Sequence, residues 1–221
     1  LRNGEILEVG NEHTVELSRL HKALRCIEDA LDETGVSDLR AEIAGGRLIV
    51  ENTAGLREIL SDWDCGYPVE YGDPVGSYRR LYNRSLDLYV KGLRPYLRQW
   101  IHETFNNGFE YYGIVGETGE AYVLRSMQRG KVVLPRLRHV FAAHTHPEEH
   151  ANPSPRDLST ILEELSIGVL GHCVESLIDG LCIIRVKPVG LDEYIEALKA
   201  LRKGEWAFFS KAGFIRLARV M

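Results

Sequence analysis

The stretch Val-Phe-Ala-Ala-His-Thr-His-Pro-Glu-Glu-His-Ala-Asn-Pro-Ser-Pro-Arg-Asp, residues 140–157, constrains the fold more than any other part of the chain. It begins as an apolar strand that runs into His144 and His146. Side chains alternate faces along a strand, so these two imidazoles point the same way. Pro147 ends the strand and turns the chain. Ser154-Pro155-Arg156-Asp157 then carries the marks of a helix start: Ser as N-cap, Pro in the first turn, and an acid where a capping box places one. Strand, polar loop and helix therefore follow one another, with a His pair at one end of the loop and Ser and Asp at the other.

The flanking periodicity extends this into an α/β fold. Val15, Leu17, Leu20, Leu24, Ile27 and Leu31 keep helical spacing over residues 14–32, and Gly35 stops that helix. Residues 39–43 and 48–50 flank Gly45-Gly46 as a hairpin. A short helix is predicted over 54–63. Residues 64–76, rich in Gly and Pro, read as a linker. A long helical pattern runs from Ser77 to Phe105 with a kink before Pro95, and Asn106-Asn107-Gly108 closes it. Strands are predicted over 109–115, 120–126, 131–134, 138–144, 171–174 and 181–186, with helices over 155–165 and 191–201. The expected organisation is a small N-terminal α/β module over residues 1–72, a mixed sheet flanked by helices over 77–190, and a helical extension over 191–221 packed on that sheet.

Bulk properties remove several function classes. The 221 residues carry a formal net charge of −5, which gives no basic field for nucleic acid. The short cluster of Lys131, Arg136 and Arg138 reads as a solvated strand edge. No apolar run is long enough for a membrane span, and residues 1–8 lack the apolar core of a signal peptide, so a cytoplasmic setting is expected. Cys26, Cys65, Cys173 and Cys182 form no CxxC pair, which excludes a zinc ribbon. Cys173 and Cys182 can face each other across a hairpin, but small buried apolar thiols are the preferred reading. Only two glutamines, Gln99 and Gln128, occur, a depletion that leans toward a heat-adapted source.

Two imidazoles and a carboxylate suit zinc, and three protein ligands leave one tetrahedral position open. Capping and metal binding do not compete at Ser154 and Asp157, because a helix turn that caps itself also fixes where those side chains point. The full spacing H-x-H-x7-S-x-x-D, from His144 to Asp157, resembles the signature of the JAMM (MPN-plus) metalloprotease family. Glu110-Tyr-Tyr-Gly113-Ile-Val-Gly116 looks like the family's glutamate before a Gly-containing apolar strand; Glu103, Glu117 and Glu120 are its competitors. The resemblance covers roughly residues 77–188. It implies a zinc ion held by His144, His146 and Asp157, with Glu110 as acid–base and Ser154 as oxyanion donor. It also implies hydrolysis of an amide or isopeptide bond at the C-terminus of a ubiquitin-like or sulfur-carrier protein. A non-catalytic MPN-type scaffold and processing of an aminoacylated sulfur carrier are the alternatives. His150 is expected in the loop near the site. A homo-oligomer is possible; no nucleic-acid or membrane partner is expected.

Overall fold

In a computed structural model of the chain, the described residues are 4–53, 55–129, 138–205 and 207–221. They build a mixed α/β structure around a seven-stranded sheet. Strand β1 (Ile6–Glu8) leads to helix α1 (Glu12–Thr34), then β2 (Ala41–Ala44), β3 (Arg47–Glu51), α2 (Leu56–Leu60) and β4 (Val69–Gly72). A 3-10 turn (Tyr78–Tyr82) precedes three short helices, α3 (Asn83–Gly92), α4 (Arg94–Arg98) and α5 (Ile101–Asn107). Next come β5 (Tyr111–Gly116), β6 (Ala121–Arg125), β7 (His139–Thr145), α6 (Pro155–Ser166), β8 (Gly171–Glu175) and β9 (Gly180–Arg185). The chain ends with α7 (Leu191–Arg202), α8 (Ala207–Lys211) and β10 (Ile215–Val220). Among the described residues no helix is long and apolar enough to cross a membrane.

The large sheet has the order β1-β6-β5-β7-β8-β9-β10, and β2-β3-β4 form a second sheet. All contacts in the large sheet are antiparallel except β7–β8, which run parallel. A parallel neighbour needs a crossover, and α6 is that crossover. It covers one face of the sheet together with α7, in a core of Leu158, Ile161, Leu162, Ile183 and Phe214. The other face carries α1 and α3, packed through Leu17, Leu24, Tyr89 and Phe141.

Helix α1 forms where its periodicity predicts. Asn11 caps it, accepting from His13 N at 2.9 Å and Thr14 N at 3.2 Å, and Gly35 closes it in the left-handed region at φ 69°. It is tied to the large sheet. Thr14 Oγ1 donates to Gly119 O at 2.8 Å, and the Ser18 hydroxyl donates to Glu117 O. At Gly119, with φ 94°, a Cβ would lie 2.6 Å from Val15 Cα, so only glycine lets turn and helix approach this closely. Residues 6–34 thus share the core of the large sheet across the boundary expected near residue 72. Residues 41–51 pair within the small sheet, apart from an isolated bridge between Arg40 and Ser77.

Four sequence expectations are corrected. The stretch 64–76 is not only a linker, because β4 within it pairs in parallel with β3. The single long helix over 77–105 is four pieces: Leu93 ends α3 just before Pro95, and Trp100 separates α4 from α5. The C-terminal extension is not all helical. In β10, Ile-Arg-Leu-Ala-Arg-Val alternates sides and pairs with β9 from Ile215↔Arg185 to Val220↔Gly180. The cysteines are not free thiols: Cys26 bonds Cys65, tying α1 to the loop after α2, and Cys173 bonds Cys182 across β8 and β9. The strand expected over 131–134, the cluster members Lys131 and Arg136, and Trp206 lie outside the described residues.

Candidate metal centre

The centre of the large sheet sets up the site. His144 pairs with Tyr112 on β5, and on β7's other side Ala142 pairs with His172 on β8. Tyr112, His144 and His172 therefore share one face, and His146, two residues beyond His144, continues it past the strand end. His146 N bonds Glu175 O at 2.7 Å, which carries the ladder one residue beyond β7. Helix α6 lies over this face. Its first turn has the capping box: Ser154 Oγ accepts from Asp157 N at 3.2 Å, and Asp157 Oδ2 accepts from Ser154 N at 2.7 Å. The expected local structure thus forms, and the same turn points Asp157 at the two histidines.

His144, His146 and Asp157 each offer a ligand atom, and these atoms lie within 4.8 Å of one another. His146 Nε2 is 3.2 Å from Asp157 Oδ2, and His144 Nε2 is 3.7 Å from Asp157 Oδ1. Both histidines are buried. His144 Nε2 is a buried nitrogen with no hydrogen-bond partner among the described residues. An unpaired buried polar atom is costly, and here it faces a carboxylate too far away to bond. Two imidazole nitrogens and one carboxylate oxygen around a common point are a donor set that zinc takes readily.

The electrostatics agree with that fit. Burial holds the His144 imidazole well below its ordinary pKa, and the neighbouring His172 and His146 add to this. Burial also works against protonation of His146, but the hydrogen bond to Asp157 and the carboxylates of Glu110 and Glu148 outweigh it and raise its pKa. For Asp157, burial is outweighed by His146, His144 and the Ser154 contacts, which hold the carboxyl well below the usual range. Asp157 is thus a carboxylate, and the proton it shares with His146 occupies a place that a divalent cation could take.

Glu110 sits just before β5, half-buried, with its backbone fixed by Ser126: Glu110 N donates to Ser126 Oγ at 3.0 Å, and Ser126 N to Glu110 O at 2.8 Å. Burial raises its carboxyl pKa, and its charged neighbours are His146, Asp157 and Glu148. The competing glutamates are engaged elsewhere. Glu103 accepts from Tyr111 OH and Arg125, both at 2.6 Å, Glu120 accepts from Thr118 in the β5–β6 turn, and Glu117 lines a different cavity. His150 is exposed in the loop, with Nδ1 3.5 Å from Asp179 Oδ2. That loop is anchored to the β8–β9 turn by Ala151 N to Asp179 Oδ1 at 2.7 Å and Ile178 N to Glu149 O at 2.9 Å.

Three residues near the centre are not among the sequence-predicted set. His172 Nε2 lies 2.8 Å from His144 Nδ1, and His172 Nδ1 lies 2.6 Å from Glu164 Oε2. Tyr112 stacks on His144 with ring centroids 6.0 Å apart and donates its hydroxyl to Glu164 Oε1 at 3.0 Å. The only signals in the sequence are that five of the eight histidines fall between His139 and His172, and that Glu164 follows Asp157 by two helical turns. A cavity of about 1040 Å³ beside α1, lined in part by His21, Arg25, His139 and Glu164, touches none of the three candidate ligands. No family model matches this chain, and neither a curated protein nor a solved structure matches it.

Proposed function

We propose that this protein is a zinc-dependent hydrolase of amide or isopeptide bonds, of the JAMM (MPN-plus) type. Its substrate class would be the C-terminus of a ubiquitin-like or sulfur-carrier protein. The observation that carries the reading is the buried His144 Nε2, without a hydrogen-bond partner among the described residues, facing Asp157 beside His146. The resemblance of H-x-H-x7-S-x-x-D supports the choice of family, and the sheet–helix arrangement around it is compatible with an MPN-type fold.

His144, His146 and Asp157 would hold the ion. Zinc bound by three protein groups supplies a Lewis acid and an acidified water near neutral pH. Glu110, raised in pKa by burial, is suited to take a proton from the attacking water and return it to the leaving amine. Ser154 Oγ already accepts from Asp157 N, so its O–H remains to donate to the oxyanion of the scissile carbonyl.

A cytoplasmic setting belongs to the same reading. Disulfides belong chiefly to oxidising compartments and occur in the cytosol of hyperthermophiles, so with the two bonds found here this setting holds only together with the heat-adapted source toward which the scarcity of glutamine leans. The test is zinc analysis of the purified chain together with mass spectrometry of ubiquitin-like and sulfur-carrier fusions after incubation. One zinc per chain and scission at the modifier C-terminus are expected. Stoichiometric zinc without scission of any amide or isopeptide fusion would replace the hydrolase by the scaffold reading.

A further inference from the structure

We propose that His172 and Glu164 are positioning residues that fix the tautomer of His144, so that its Nε2 is bare and presented to the metal. This rests on the metal-site reading above. It concerns residues to which neither the motif nor the proposed chemistry gives a role.

The argument is one of donors and acceptors. Ionised carboxylates only accept. Glu164 is buried with the Tyr112 hydroxyl donating to Oε1 and imidazole nitrogens against both oxygens, the surroundings of a carboxylate. His172 Nδ1, 2.6 Å from Glu164 Oε2, must therefore carry the hydrogen and donate it. A His172 ring whose single hydrogen is on Nδ1 has a bare Nε2, which can only accept. His144 Nδ1 lies 2.8 Å from that nitrogen and must be the donor, which leaves His144 Nε2 without a hydrogen. The reverse order needs a His172 cation and places a hydrogen on His144 Nε2. That hydrogen would have nothing to bond, because Asp157 Oδ1 is 3.7 Å away, beyond hydrogen-bond distance.

The anchor at the far end is built to stay in place. Tyr112 OH bonds the other Glu164 oxygen at 3.0 Å, and His139 Nε2 lies 3.3 Å from it. Asp157 and Glu164 stand seven residues apart on α6, so one helix face supplies both a ligand and the anchor of the relay behind another ligand. The parallel β7–β8 pairing places His172 beside His144. A ligating imidazole whose other nitrogen is bonded in this way is both oriented and made more basic.

The first measurement needs no variant and no metal. Nitrogen-15 NMR of the full-length, chelator-stripped protein should show His144 protonated at Nδ1 and bare at Nε2; a proton on Nε2 would overturn the proposal. Zinc affinity is then measured by competition with a chromophoric chelator for the parent, His172→Leu and His172→Gln. His172→Leu removes the acceptor and should weaken zinc by about 10–100-fold, the usual effect of losing such a partner. His172→Gln offers an amide oxygen to His144 Nδ1 and should recover most of that loss. Equal loss in both variants, or no loss in either, would sink the relay. The outcome is independent of turnover: a relay-dependent zinc affinity in a protein that cleaves no amide would remove the hydrolase reading and leave this one standing. The reverse pattern would do the opposite.

Discussion

Strand β8 carries two buried ionisable side chains three residues apart, and they are satisfied in different ways. Glu175 is fully buried on the face toward the N-terminal helices, where Tyr89 OH bonds it at 2.7 Å and Arg94 Nε at 2.9 Å, with Arg98 Nη1 3.8 Å away. The chain itself supplies the positive charge, and the result ties α3 and α4 to the sheet. His172 lies on the opposite face, in a group whose nearest members are two more imidazoles and two carboxylates. No Lys or Arg side chain is paired with Asp157 or Glu164 there among the described residues. One cluster carries its own cations, although Glu175 Oε2 has no hydrogen-bond partner among the described residues and only Arg98 Nη1 near it, at 3.8 Å. The other has nitrogen and oxygen lone pairs converging without a cation, and that shortfall is what marks a ligand site.

The comparison is broken most severely through His146. His146→Ala should remove zinc and take turnover to background, because two remaining ligands do not hold the ion; zinc still present at one per chain would show that the ligand set is wrong. Glu110→Gln should instead keep full zinc while turnover falls about 10²–10⁴-fold, the contribution of a positioned acid–base group. Metal content and rate measured on the same preparation decide it: loss of zinc would make Glu110 a ligand, and an unchanged rate would move the acid–base role to another group. On the other face, Glu175→Gln should cost about 1.5–3 kcal/mol of stability, the range for a hydrogen bond to a charged group, since it removes the buried anion between Arg94 and Arg98 while Arg94 keeps its bonds to Met221 O and Val220 O, with zinc per folded chain unchanged. Urea unfolding with parallel zinc analysis tests this, and a loss of zinc at unaltered stability would abolish the distinction between the two faces.

Much of this structure was legible because its signals are local. Gly35, Gly45-Gly46 and the Ser154–Asp157 box each act over a few residues, and the elements they define form where expected, within one to three residues at most ends. The His144–His146–Asp157 cluster was legible for the same reason: a strand and the next helix turn place all three. What stayed hidden depends on distant pairing. Strand β4 exists because β3 is beside it, and its Gly- and Pro-rich surroundings read as a linker. His172 reaches His144 only through the β7–β8 crossover, and Cys26 meets Cys65 only because α1 and the loop after α2 pack together. At Gly66, next to that disulfide, an added Cβ would come 2.7 Å from Arg19 O, an approach no spacing rule reveals.

The smallest expected effect concerns a third buried group, and it tests whether charge pairing alone makes a cluster complete. Glu28 on α1 bonds the Tyr82 hydroxyl and lies 3.3 Å from Arg185 Nη2. Even so, burial pushes its carboxyl from the ordinary 4.5 up to about 7, with Arg185 and Arg25 opposing only in part. Two turns earlier on the same helix, burial and then Arg185 lower His21 from 6.5 to about 4. The signs oppose. A carboxyl raised in the folded state binds more protons there than when unfolded, so its contribution falls as pH rises from about 4.5 to 7. A histidine lowered in the folded state binds fewer, so its contribution grows as pH rises from about 4 to 6.5. Each change is on the order of 3 kcal/mol, so between about pH 4.5 and 6.5 the two largely cancel in the parent. Glu28→Gln removes the first and leaves the second. The variant should gain stability relative to the parent as pH rises across that window, by up to roughly 3 kcal/mol. Guanidinium unfolding of both proteins at several pH values reads this directly, since the metal ligands and surface carboxylates contribute alike and drop out of the difference. A variant-minus-parent difference that stays flat from pH 4.5 to 6.5 would mean that Arg185 keeps Glu28 ionised. This third cluster would then be an ion pair with arginine, as the one around Glu175 is.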